Sequence, residues 1–298
     1  MPLSSSRDGE FAMPFETKAY DLRSFAVLSL SCLRNAISGW TLFLSSWITE
    51  MLRMLLDSAV FFFMAIYVAP SAAQYVGEFG GDYAGYIVVG FLVGGLLNSM
   101  TRCFYNAVAT GYWGAYWEFY GSFPLGIPAY LTGASVFNLV VALIRFTILT
   151  CVGIGLFGIH FAWGNLGAGL LVLGVGLLSI LGLGLAAAST FFLLNSKGWN
   201  DPVSWLANTL ASLLCGVYFP PEVLPQQLRQ FSDWLPHFHI LRSLRLTIMA
   251  GVSLDNEVVR GDLRSLALMA AVLLPVGFFL FLRGLKRAER LGEFTRWT

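Results

Sequence analysis

From Phe161 to Ser196 the chain has no Asp, Glu, Lys, Arg or His, and charge-free runs of similar length recur along most of the sequence. A helix on a soluble domain keeps one face polar for water, whereas a helix surrounded by hydrocarbon needs no such face. The runs predict an all-α integral membrane protein with six transmembrane helices, at about 50–70, 83–104, 131–157, 166–194, 202–220 and 265–283, within a domain spanning 45–285. Pro70 and Gln74 mark the exit of the first span, and Asp82 and Arg102 bound the second. Gly174, Gly176, Gly182 and Gly184 suit the fourth span to close helix packing. The doublet Pro220-Pro221 ends the fifth, because proline lacks the amide hydrogen and restricts the backbone, and Pro275 kinks the sixth.

Ahead of the spans, residues 20–38 carry Leu22, Ala26, Leu30, Leu33 and Ile37 on one helical face, with Arg23 and Arg34 elsewhere on the wheel. This predicts an amphipathic helix lying in the membrane interface. Residues 1–19 form a polar tail without the basic-then-apolar order of a signal peptide, so none is expected. Between the fifth and sixth spans lies an amphipathic segment whose acids and bases balance, whereas Arg283, Lys286, Arg287, Arg290 and Arg296 crowd the C-terminal end and its tail, 286–298. By the positive-inside rule both termini are cytoplasmic, the connection 106–128 is cytoplasmic and the segment 221–251 is external.

Composition agrees with the membrane assignment: 57% of residues are hydrophobic, 12% are charged and the mean hydropathy is +0.70. A net charge of +1 offers no concentrated basic face, which argues against nucleic acid as a partner. The four cysteines, Cys32, Cys103, Cys151 and Cys215, are widely spaced and make no CxxC pair, so no disulfide framework or metal site is expected. His237 and His239 flank Phe238 without further metal ligands nearby and read as interface histidines.

Three stretches carry candidate chemistry. Arg145 stands alone inside the third span, where a charge needs a partner or water. Asp57, near the inner end of the first span, is a candidate partner, as are a carbonyl, a lipid phosphate or an anionic group of the cargo; a structural ion pair and a cargo contact both remain open. Glu50, Arg53 and Asp57 are spaced to share one helical face. The second stretch is aromatic: Tyr112, Trp113, Tyr116, Trp117, Phe119 and Tyr120 surround Glu118 in the cytoplasmic connection. Such rings anchor interfaces with little loss of entropy, and they equally form belts at bilayer surfaces. The third is the proline-broken run Gly216, Phe219, Pro220, Pro221, Leu224 and Pro225, whose irregular backbone is tolerated near a membrane only where protein or a water-filled cavity covers it. It is expected to form part of an external gate.

The order Ser212-Leu-Leu-Cys-Gly216-Val-Tyr-Phe219-Pro220-Pro221-Glu222-Val-Leu224-Pro225, followed by Trp234-Leu235-Pro236, Arg242, Arg245 and Gly251, resembles the signature of the type-two ABC exporter permeases. These are the membrane subunits of transporters for drugs, lipids and polysaccharides. The resemblance implies an interfacial N-terminal helix, six spans, a helical cytoplasmic coupling loop and short re-entrant helices before the last span. It also implies a homodimer, or a dimer with a related permease, bound to two ATP-binding cassette subunits in a bacterial-type inner membrane. No cofactor is then expected in this chain; ATP and Mg belong to the partner subunit. The chain itself lacks the phosphate-binding GxxxxGK[ST] sequence, so it is not the motor.

Two other classes compete. Ion-driven carriers commonly place carboxylates or histidines deep in their spans, whereas here Arg145 is the clear deep ionisable group. A membrane enzyme needs convergent catalytic groups, and neither HExxH nor GxSxG occurs. Within the exporter reading, Phe61, Phe62, Phe63, Tyr67, Tyr86, Phe91 and Phe104 suit a sugar, a hydrophobic ligand or the lipid surface alike; a hydrophobic or amphipathic cargo is expected, and a polysaccharide or lipid-linked glycan is the alternative.

Overall fold

A computed structural model describes residues 22–42, 44–72, 76–79, 82–121, 123, 126–158, 162–194, 197 and 201–292. Among these there are helices, turns and no strand. In chain order the helices are α1 (Leu22–Leu42), α2 (Leu44–Ala72), α3 (Tyr83–Trp113), α4 (Tyr116–Gly121) and α5 (Gly126–Phe157). They continue with α6 (Leu166–Leu193), α7 (Pro202–Leu214), α8 (Gln226–Ser232), α9 (Pro236–Ile248) and α10 (Glu257–Leu291). Several begin where a short polar side chain can cap them. Asp82 accepts from the Gly85 amide at 3.0 Å, Asp201 accepts from the Ser204 amide, and Asn256 accepts from the Val258 amide at 2.9 Å.

Four described helices are long and apolar enough to cross a membrane: Tyr83–Trp113, Gly126–Gly155, Trp163–Leu193 and Glu257–Leu291. They coincide with the expected spans at 83–104, 131–157, 166–194 and 265–283. Their outward faces show what surrounds them. Leu170 and Leu178 of α6 and Leu268, Val272 and Phe279 of α10 are exposed, whereas Gly176, Ser179, Gly182, Ala187 and Ala188 of α6 are buried. This is the surface of a protein embedded in a bilayer.

The remaining two expected spans differ from the other four. The helix over 50–70 forms as part of α2 and is 29 residues long, but Glu50, Arg53 and Asp57 interrupt its apolar character. The helix expected over 202–220 stops at Leu214 after 13 residues. At 1.5 Å per residue that is about 20 Å, short of a hydrocarbon core of about 30 Å. Its early stop has a local cause: Gly216 turns left-handed at φ 78° just beyond the cap at Cys215, ahead of the two prolines.

Three boundaries also move. The connection expected over 106–128 is helical at its start, because α3 continues to Trp113 while Tyr105, Ala107, Val108 and Ala109 pack into the core. The last helix begins at Glu257 instead of 265 and ends at Leu291 instead of 283, running from the Asn256 cap to a left-handed Gly292 and taking in part of the tail expected over 286–298. The expected interfacial helix runs to Leu42 and packs on α5, where Gly133 lets the backbone near Ser29 and Cys32 come close. Of its expected apolar stripe, Ala26, Leu30 and Ile37 face outward. Residues 1–21 and 293–298 lie outside the described part.

At the centre, α6 is shared by α3, α9 and α10. Its crossing with α10 is tight because Gly182 lies on the backbone at Leu273 and Leu274, and Gly277 lies on the Gly182 carbonyl. No side chain fits there, which is how small residues bring membrane helices together. An amide from α5 fixes a second contact: Asn138 Nδ2 donates to the Cys103 carbonyl of α3 at 3.0 Å.

Candidate functional site

Two places stand out, at the two ends of α3. The first is an aromatic platform where α3, the turn at Gly114-Ala115 and α4 meet. Sequence reasoning treated Tyr112, Trp113, Tyr116, Trp117, Glu118, Phe119 and Tyr120 as one surface, but the helical turn of α4 divides them. Trp117, 1% exposed, stacks on Phe192 at 5.5 Å between ring centres and meets Phe191 and Tyr112 edge-on. Tyr120 is also buried and stacks on Tyr130 at 5.2 Å. These two form a keel, held by Phe191, Phe192 and Tyr130, partners the sequence reading had not singled out. Trp113, Tyr116, Glu118 and Phe119 face outward, with Phe119 61% exposed, and Phe123 extends the patch. Tyr112 sits between the two faces, under the Lys197 ammonium at 5.3 Å from its ring. Trp113 Nε1 donates to the Lys197 carbonyl at 3.1 Å, so the C-terminal end of α3 and the connection after α6 meet at one end of the molecule, while Arg102 lies within α3.

At the other end, the expected gate residues form a compact fold-back. Gly216 makes the left-handed turn beside the Tyr86 hydroxyl and Pro221, and Pro221–Val223 form one tight helical turn. Pro220 and Pro221 are buried, Phe219 and Leu224 are half-buried and Pro225 is exposed ahead of α8. The Ser232 hydroxyl donates to the Leu214 carbonyl at 2.8 Å, satisfying one of the groups left open where α7 stops. Behind this fold-back, Arg245 of α9 is fully buried over the Tyr86 ring at 3.5 Å and donates to the Tyr86 carbonyl at 3.0 Å. Asp262 of α10 accepts from His239 at 2.7 Å, Ser243 at 2.7 Å and Arg242 Nε at 2.9 Å, which pins α9 to the last helix. His239 is thus an interface histidine. Among the described residues no three His, Cys, Asp or Glu side chains group to hold a metal ion.

Arg145 has a partner, and it is not Asp57. Its guanidinium donates twice to Glu50 of α2, at 2.7 Å to each carboxylate oxygen, in the forked geometry that arginine favours. Asp57 lies two turns further along α2, about 10 Å away by helix rise, and faces Arg53 at 3.7 Å instead. Spacing alone does not distinguish Glu50 from Asp57, since both share a face; depth does.

Between these ends runs a groove of about 430 Å³ walled by α2, α3 and α7. Phe91, Asn98 and Arg102 line it from α3, Asp201, Trp205, Asn208 and Ser212 from α7, and Arg53 and Asp57 from α2. Tyr218 and His237 close it toward the fold-back. Its depth is set by α2, whose Met54 lies against Gly95 and whose Phe61 meets Phe91 at 5.2 Å, near the middle of a helix of membrane-spanning length. Arg53 and Asp57 are nonetheless 79% and 50% exposed. Charges that far along a membrane-spanning helix are costly to leave against lipid tails.

Several groove groups lack a protein partner although buried: the second oxygen of Asp201, the Asn208 amide nitrogen and both ring nitrogens of His237. Burial pushes the His237 imidazole down to about 4, leaving it neutral at physiological pH. The sequence reading noted His237 but missed Asn98, Asp201, Asn208 and Ser212. Their signal was present as polar residues at helical spacing, 98 and 102 on α3 and 201, 208 and 212 on α7, inside otherwise apolar runs. No family model matches this sequence, and no curated protein is significantly similar to it.

Proposed function

We propose that this chain is the permease subunit of an ATP-driven exporter that moves a hydrophobic or amphipathic molecule out of the cytoplasm or inner leaflet by alternating access. The observation that carries the reading is the pairing of a polar groove at bilayer depth with an outward aromatic platform on the same helix, α3. A conduit needs a path that hydrocarbon does not fill, and a driven conduit needs a surface on which the motor pushes. Trp113, Tyr116, Glu118 and Phe119 supply that surface, and the Trp117 keel joins it rigidly to α5 and α6. Two ATP-binding cassette subunits, carrying ATP and Mg, would dock there. A second permease, identical or related, would cover the flank bearing Arg53 and Asp57.

On this reading α2 and α7 complete six crossings, with the short α7 extended outward by the fold-back. Helices α8 and α9 then re-enter from the external side, the run Gly216 to Pro225 gates the exit, and both termini are cytoplasmic in a bacterial-type inner membrane. The polar lining favours, as a second reading, cargo that carries a glycan, free or lipid-linked. An ion-driven carrier finds less support, since the deep charges on α2 and α5 are already paired with each other.

Purification of the full chain under mild conditions tests the proposal. An ATP-binding subunit is expected to co-purify, and its loss is expected on Phe119→Ala combined with Glu118→Arg while the chain remains folded. Solute transport by the chain alone under an ion gradient, without ATP or a second subunit, overturns it.

A further inference from the structure

A second recess, of about 450 Å³, lies between α1, α5, α6 and α10 and shares no lining residue with the α2–α3–α7 groove. Its wall is almost wholly apolar, with Phe25 from α1, Leu131 and Val136 from α5, Leu185 from α6 and Phe281 and Leu282 from α10. The Thr132 hydroxyl in that wall is already spent on the Pro128 carbonyl, at 2.8 Å. Water would find few partners in such a space, and hydrocarbon fits it. Because the walls come from several helices, a chain inside is held on more than one side, unlike one lying against the flat outer face of α10.

The recess also has a telling length. On α5 its lining runs from Pro128 to Leu139, about 17 Å by helix rise, which is roughly half of a hydrocarbon core of about 30 Å. That is the reach of an acyl chain from one leaflet, entering where α5 begins and α10 ends. Positive charge collects at the same end. Arg283, Lys286, Arg287 and Arg290 stand within about two turns of α10, with Glu289 the one acid between them. Arg287 is committed to the Leu193 carbonyl of α6 at 2.8 Å. Arg283 directly follows Leu282 of the recess, Lys286 lies one turn beyond Leu282 on the same face, and both are exposed. A guanidinium and an ammonium together suit a phosphate diester, the first by its fork and the second as a point charge. A zwitterionic headgroup would bring a cation of its own against these bases, whereas an anionic one would not.

We infer that this recess holds an acyl chain of a resident anionic phospholipid, from the leaflet at the Leu291 end of α10, with its phosphate on Arg283 and Lys286. Helix α10 packs chiefly on α6 and α9, and α1 packs on α5, so a lipid lodged between them ties the two groups together. The site needs neither the polar groove nor a motor subunit, so it and the permease reading can fail independently.

Native mass spectrometry of the full chain released from nanodiscs tests the site, with phosphatidylglycerol and phosphatidylcholine of the same acyl chains in equal amounts. One retained phosphatidylglycerol per chain is expected, preferred about 25-fold, at about fivefold for each of two bases near an anionic headgroup. Arg283→Gln with Lys286→Gln is expected to remove most of that preference, whereas Arg264→Gln, at the other end of α10, leaves it unchanged. Val136→Trp fills the recess and is expected to weaken retention of both lipids roughly tenfold or more, the worth of about two displaced methylenes. Leu282→Trp replaces it if thermal unfolding shows that Val136→Trp does not fold. Equal retention of the two lipids overturns the site. So does a folded tryptophan variant that keeps phosphatidylglycerol like the parent chain, since surface charge alone would then hold the lipid.

Discussion

Arg145 shows how much one side chain's identity conveys and where it stops. A lone charge in an apolar run announces that a partner exists, but Glu50 and Asp57 stand on the same face of α2 and the sequence does not say which is level with it. The forked pair with Glu50 is half-buried, at 23% and 46% side-chain exposure, so its worth lies between the limits for exposed and buried pairs. Arg145→Ala is expected to lower stability by roughly 1 to 3 kcal/mol. Arg145→Met with Glu50→Met is expected to recover most of that loss, because no charge is then left without its partner. Thermal unfolding of the purified variants reads both, and a double variant no better than the single one rejects a structural role for the pair. The same limit applied to His237: its residue type was visible, but the loss of every hydrogen-bond partner became apparent only once α9 was placed against the groove.

Among the elements, the four long apolar helices were legible because each one's environment is written into its own residues. Where an element depends on its neighbours, the sequence under-determined it. The fifth expected span fell short at Leu214, since the apolar run continues through Cys215 and Val217 while the backbone leaves the helix at Gly216. Helix α4 was visible as an aromatic cluster but not as two faces, because its keel is defined by Phe191 and Phe192, some seventy residues away. That division predicts opposite responses to similar truncations. Trp117→Ala is expected to destabilise by about 3 to 5 kcal/mol through the cavity it leaves, and Phe119→Ala by no more than about 0.5 kcal/mol. Parallel melts of the two variants check the contrast, and equal losses would mean that α4 does not pack as described.

For the molecule as a whole, the polar groove is the property that no single run of residues reveals, since its stripes come from three helices far apart in the chain. If it holds water, a thiol placed there reacts with reagents that cannot enter hydrocarbon, because the attacking species is the thiolate. Asn208→Cys is therefore expected to label readily with a membrane-impermeant maleimide, whereas native Cys151, exposed on the outer face of α5, stays unlabelled. Mass spectrometry after labelling in intact vesicles settles it, and equal labelling at both positions would show the groove to be no wetter than the lipid surface. The exposed Arg53 and Asp57 carry a last consequence. A solitary copy inserted in a bilayer must draw headgroups and water inward along that flank, denting the membrane around itself. Such a dent costs energy for as long as the flank is bare, so the time a newly made chain survives depends on how soon something comes to lie against it.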